Sequence, residues 1–242
     1  MMVASNPSEH AFQHNTCISE IYCRYDGKHH HSNPKSKNPT SPPSSPLISG
    51  SSSNWTFDFV RGNVGVLNVP NSRIVKANHQ TFPVLDGRNL VVVYEYYDPC
   101  QLIVLHSHPF GDEFFYAVKG ERMRVAFVDV TSGKLIVSEI REGQATLIPR
   151  GSIHYQQNLD CKPAVILSSF NSGNPGAILT FQSSFSNIPY DVIKESLGGG
   201  KMVNEELIEH IKAKVPNAIA VVNAECRKRC GLDKPMDHKR YE

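Results

Sequence analysis

Between Trp55 and about Gln182 the chain alternates short apolar runs with polar punctuation. Runs rich in Val, Ile, Phe and Tyr are separated by Gly, Pro, Asn and Asp. The pattern predicts strands over Asn89–Tyr97, Leu102–Leu105, Glu113–Val118, Met123–Asp129, Leu135–Ile140, Gln144–Ile148, Ile153–Gln157 and Ala164–Phe170. Several runs have a period of two. In RMRVAFVDV, Met123, Val125, Phe127 and Asp129 fall on one face, because successive side chains of a strand point to opposite sides. Thr131-Ser132-Gly133 reads as a hairpin turn. Short strands spaced roughly 8–12 residues apart predict a sandwich or barrel. No helical stretch intervenes, so a parallel α/β sheet is disfavoured. The expected class is all-β.

After Pro189 the period becomes helical. Pro189–Leu197 reads as a short helix with Pro at its start and Gly198 beyond its end. Asn204 is placed to cap EELIEHIKAKV, whose apolar stripe is Leu207, Ile208, Ile211 and Val215. A third helix is expected over Asn217–Cys230, stopped by Gly231. Residues 1–53 are rich in Ser, Pro, Asn and Lys and carry the run His29, His30, His31. They hold too little apolar surface to offset chain entropy and are expected to be disordered. The expected organisation is a polar segment 1–53, a β-rich domain 54–186, a helical extension 187–232 and a polar tail 233–242.

Composition narrows the function classes. Lys plus Arg total 25 and Asp plus Glu total 23, a net charge of +2. That balance gives no electrostatic case for a nucleic acid or an anionic membrane as partner. No apolar run approaches the roughly 18–20 residues of a membrane helix. The N-terminus lacks the basic-then-apolar pattern of a secretory signal. The six cysteines are Cys17, Cys23, Cys100, Cys161, Cys226 and Cys230, without a C-x-x-C pair. The even count fits disulfides in an oxidising compartment; Cys226 and Cys230, four apart on the expected third helix, either bridge or pack.

Two segments carry chemistry. In HSHPFGDEFFYAVKG, residues 106–120, His106 and His108 are two apart on an extended chain and share a face. Glu113 follows a Pro–Gly turn, from which a hairpin can return its carboxylate to the imidazoles. In GQATLIPRGSIHYQQN, residues 143–158, Gly143, Pro149 and Gly151 punctuate a turn–strand–turn and His154 opens the next strand. Three imidazoles and a carboxylate suit Mn, Fe, Ni or Zn. A closed structural zinc site favours cysteine-containing tetrahedral ligation instead. Alone, each of these residues is more often core or surface than ligand. Together they define a metal site with open positions.

The two segments, with FNSGNPG at 170–176 and PYDVIKESLG at 189–198, resemble the germin and spherulin type of cupin over roughly residues 55–232. The resemblance implies a single cupin β-jelly-roll barrel with C-terminal α-helices. It implies His106, His108, Glu113 and His154 as ligands of a manganese ion. It further implies secretion to the extracellular space and a homo-oligomer, trimer or hexamer, clamped by the C-terminal helices. Three departures stand out. Cys100 replaces the usual glycine at the start of the first motif. With Cys161 following the second motif, a Cys100–Cys161 disulfide is expected. Ile103 and Val93 stand where the oxalate-degrading members are thought to hold substrate with asparagines, so oxalate oxidase activity is disfavoured. Asn54-Trp55-Thr56 is a glycosylation sequon on Asn54. Phe110, Phe114, Phe115 and Tyr116 are expected mainly to pack the core. The expected function is a secreted manganese protein with superoxide dismutase-like redox activity. The alternative is a non-enzymatic structural or storage protein of wall, spore or matrix.

Overall fold

The computed structural model describes residues 55–69 and 72–232. The 1–53 segment, His29–His31, Cys17, Cys23, Asn54 and the 233–242 tail lie outside the described residues.

Two antiparallel sheets of six strands face each other. The first has the order β1 (Val66–Val69), β2 (Ser72–Ala77), β3 (Val91–Tyr97), β10 (Ala164–Phe170), β5 (Glu113–Lys119), β8 (Ala145–Ile148). The second has the order β11 (Ile178–Leu179), β4 (Gln101–Ser107), β9 (His154–Asn158), β6 (Met123–Val128), β7 (Leu135–Ile140), with β12 (Ala220–Val222) also on β4. This is the cupin barrel. β3 and β10 alternate buried and half-buried positions along seven residues each, as strands with one face in a core must. Tyr97, Phe115, Met123, Val125, Ile148 and Ile166 fill the space between the sheets. The β6–β7 turn falls at the expected place: Asp129 accepts from the Thr131 and Ser132 amides, and Gly133 adopts φ 66°.

The C-terminal part departs from expectation. α1 (Thr180–Asn187) begins within the span expected to complete the β domain and runs one residue past it. α2 (Tyr190–Ser196) and α3 (Glu205–Lys214) form as expected, with the Asn204 side chain accepting from the Leu207 amide. The third expected helix does not run over 217–230. Ala220–Val222 instead pairs with Gln101–Ile103, and only α4 (Ala224–Arg229) is helical. The backbone of β4 offers ladder partners that a β-branched run satisfies better than a helix would.

The expected Cys100–Cys161 disulfide is corrected. Cys100 bonds to Cys226, and Cys161 to Cys230. Cys100 and Cys161 do share a corner, where the Cys100 amide donates to the Asp160 carbonyl. Cys226 and Cys230, four apart at α4, each bridge outward, to Cys100 and Cys161 respectively. Cys100 has φ 63°, the left-handed conformation that favours the glycine of the family motif. The disulfide holds a non-glycine residue in that conformation.

Candidate metal centre

β4 does not run straight. Ile103 pairs with Gln156 and His106 pairs with His154. Three residues on β4 are thus matched by two on β9, a bulge that inserts one extra residue. It reverses the parity of β4: Gln101 and Ile103 are buried before it, His106 after it. The Val104 amide donates to the Ile219 carbonyl, next to the pairing of β4 with β12.

His106 lies at the end of β4, His108 just beyond it, Glu113 opens β5 and His154 opens β9. Their ligand atoms all lie within 4.8 Å of one another. Each imidazole is aimed by a backbone carbonyl. Nδ1 of His106 meets Val104 O at 2.8 Å, Nδ1 of His108 meets Gly176 O at 2.6 Å, and Nδ1 of His154 meets Ser152 O at 2.8 Å. A carbonyl only accepts, so each Nδ1 carries the proton and each Nε2 keeps its lone pair. Glu113 Oε2 sits 3.7 Å from His108 Nε2 and 3.4 Å from His154 Nε2. Nε2 of His154, at 1% exposure, makes no hydrogen bond. Three lone pairs and a buried carboxylate therefore face one point. This donor set fits a metal ion, whose charge would resolve the mutual repulsion.

Loops tie the motifs together. The Gly151 amide donates to the His108 carbonyl, and the Phe110 amide donates to the Pro175 carbonyl. Asp112 and Asn171 exchange hydrogen bonds, and Asp112 Oδ1 accepts from the Arg150 amide. The three segments that carry His108, His154 and the carbonyl of Gly176 are thus cross-braced.

The cluster opens into a cavity of about 290 Å³ lined by Val93, Ile103, Phe170, Glu95, Gln156 and Lys76, among others. Glu95 is 8% exposed; its Oε1 accepts from Ser168 Oγ at 2.9 Å and its Oε2 from Tyr97 OH at 3.1 Å. Gln156 Nε2 donates to Glu113 Oε2 at 3.5 Å, and Gln156 Oε1 is buried without a partner.

The family model for Cupin matches residues 60–204. Spherulin-1B of Physarum polycephalum is 30% identical over 178 residues, 74% of this chain and 70% of that protein. The chain belongs to the cupin family, on its germin and spherulin branch. The Arabidopsis thaliana germin-like protein subfamily 2 member 4 is 31% identical, over 65% of this cupin and 72% of that protein. A solved oxalate oxidase has a TM-score of 0.60 at 24% identity, covering 70% of this chain and 85% of that chain. Pumpkin seed globulin scores 0.59 at 20% identity, covering 67% of this chain and 41% of that one. At those identities the two structures share the fold alone.

Within this cupin, electrostatics follow from burial. Burial pushes His106 down to about 3, helped by His154 and His108. Burial likewise lowers His108, against the pull of Glu113. Burial alone would raise Glu113, but His154, His108 and His106 hold it below its ordinary value. Neutral imidazoles beside an ionised carboxylate are the protonation states that a metal ligand set needs.

All four residues singled out in the sequence are brought together. Of the aromatic residues between the motifs, Phe115 is fully buried, whereas Phe110 and Phe114 are exposed. Ile103 and Val93 do line the cavity. The sequence reading passed over Glu95 and Gln156. Each had a signal: Glu95 occupies the inward parity of Val91, Val93 and Tyr97, and Gln156 the parity of His154. A carboxylate at a core position of a strand needs a reason.

Proposed function

We propose that His106, His108, His154 and Glu113 hold one divalent ion, manganese, and that this germin-like cupin acts outside the cell as a metalloprotein with superoxide dismutase-like activity. The observation that carries the reading is the convergence of three imidazole lone pairs and one buried carboxylate. Mixed nitrogen and oxygen ligands suit several borderline ions; likeness to germin-like proteins favours manganese among them. When bound, the ion supplies one-electron cycling. The chain's own residues fix the rings through backbone carbonyls, steady Glu113 through Gln156, and limit water with Val93, Ile103 and Phe170. Oxalate is not the proposed substrate, because Ile103 and Val93 offer no hydrogen bond to a carboxylate.

Two disulfides support an oxidising, extracellular setting. A homo-oligomer, trimer or hexamer, is supported by β7, an edge strand whose Leu135, Ile136 and Val137 are all exposed. A non-enzymatic wall, spore, matrix or storage role is the alternative. No helix among the described residues is long and apolar enough to cross a membrane.

Elemental analysis of protein purified from its native source separates these readings. The expected result is about one manganese per chain, with superoxide quenching that His108→Ala abolishes. Metal-free native protein would sink the metal reading. Full manganese without quenching would leave the non-enzymatic role.

A further inference from the structure

In SRIVKA, residues 72–77, Ile74 and Lys76 are two apart on β2 and share a face. The pairing with β3 sets Ile74 opposite Glu95 and Lys76 opposite Val93, so Lys76 lies on the face that looks into the barrel. A lysine at such a position needs a reason, because lysine is seldom buried without a partner. Lys76 is half-buried and lines the same cavity as His106, His108 and Glu113. It is the one lysine or arginine among the described residues of that lining, in a wall made largely of Leu67, Ile74, Val93, Ile103, Phe170 and Ile219.

The neighbouring acid does not take its charge. Glu95 is the diagonal neighbour of Lys76 across β2 and β3, a spacing within reach of long side chains. Both Glu95 oxygens accept from hydroxyls instead, Ser168 Oγ at 2.9 Å and Tyr97 OH at 3.1 Å. Among the described residues Lys76 forms no ion pair and no side-chain hydrogen bond. A lone cation in a cavity with low-dielectric walls focuses its field on an entering anion.

We propose that Lys76 is the anion-guiding residue of this cavity, drawing a small monoanion toward the histidine cluster. This rests on the metal reading and adds the charge class of the ligand, to which superoxide belongs. Lys76 is a positioning residue that acts through its charge. Its mark is on anion affinity and capture, not on metal content. A lysine whose stem merely covers apolar wall, with its head in water, would leave no such mark.

The test uses the full chain loaded with manganese, with metal content measured first. Azide serves as the monoanionic probe, titrated calorimetrically at about 10 mM and about 300 mM salt. Wild type binds azide, more weakly at the higher salt. Lys76→Met keeps its manganese, binds azide about tenfold more weakly at low salt and loses most of the salt dependence. Lys76→Arg restores both affinity and salt dependence. Superoxide quenching follows the same order, with the loss in kcat/KM. Unchanged azide affinity and salt dependence in Lys76→Met would overturn the proposal. An equal loss in Lys76→Arg would overturn it too, since shape rather than charge would then matter, as would loss of manganese from Lys76→Met. Should Lys76→Met not fold, Lys76→Gln carries the same expectations. Wild type that holds no manganese refutes the metal reading instead.

Discussion

The two ends of β4 do opposite things with the same kind of residue, a buried polar or sulfur side chain. At its start, Cys100 is joined to Cys226, and the neighbouring Gln101 accepts from the Asp98 amide. There the Cys100 sulfur and the Gln101 oxygen both find partners within the chain. At its far end, past the bulge, His106 and His154 point unprotonated nitrogens at one another and at Glu113. That end gathers mutually repelling groups at one point.

The largest test of this contrast removes the covalent end. The Cys100–Cys226 bridge closes a loop of 126 residues. Cys226→Ser should cost about 3–5 kcal/mol by loop entropy, read from denaturant unfolding of the full chain. Below its transition the variant should still bind manganese, since no histidine is held by the bridge. Loss of metal binding in a folded Cys226→Ser protein would show that the two ends are not separable.

The next test loosens the open end alone. Gly176 offers its carbonyl to His108 and has φ 69°. A Cβ there would lie 3.2 Å from Pro109 Cδ and 3.3 Å from Phe110 Cδ2. Gly176→Ala should therefore shift the carbonyl that aims His108. Partners of metal-bound histidines are commonly worth 10–100-fold in affinity, so manganese affinity should fall about that much in competition with a chelator. Unchanged affinity would mean that the carbonyl does not aim the ring.

The same contrast explains what could be read from the sequence. The open end was legible because its residues sit at fixed spacings on strands whose period is visible: Glu113 and His154 each open a strand. The eight expected strands, Asn89–Tyr97 to Ala164–Phe170, are present with small shifts at their ends. The covalent end was not legible. Disulfide connectivity depends on which helix lies over which corner, and six cysteines permit about fifteen pairings. β12 was hidden because Ala220–Val222 is three residues long and is a strand only through its pairing with β4. β1 and β2 were missed for a related reason: Val66–Val69 has no buried position and so no clear alternation. Glu95 escaped because a lone acidic residue in VVVYEYY reads as a surface position until the parity of its neighbours is counted.

The smallest test is a slope. In metal-free protein, burial, then His154 and His108, hold His106 at about 3 against an ordinary 6.5. The unfolded chain therefore takes up that proton first. His106's contribution to stability is complete above pH 6.5 and is lost as pH falls toward 3. Glu95 runs the other way, raised by burial and then by Glu113 from 4.5 to about 8. The folded protein keeps a proton that the unfolded chain releases. Its contribution is complete below pH 4.5 and is lost as pH rises through about 8. Thermal melts of the metal-free protein from about pH 4 to about pH 9 should show both limbs. Glu95→Gln should flatten the alkaline limb and leave the acid limb in place. If the alkaline limb persists in that variant, the Glu95 carboxyl is not the group that loses its proton there.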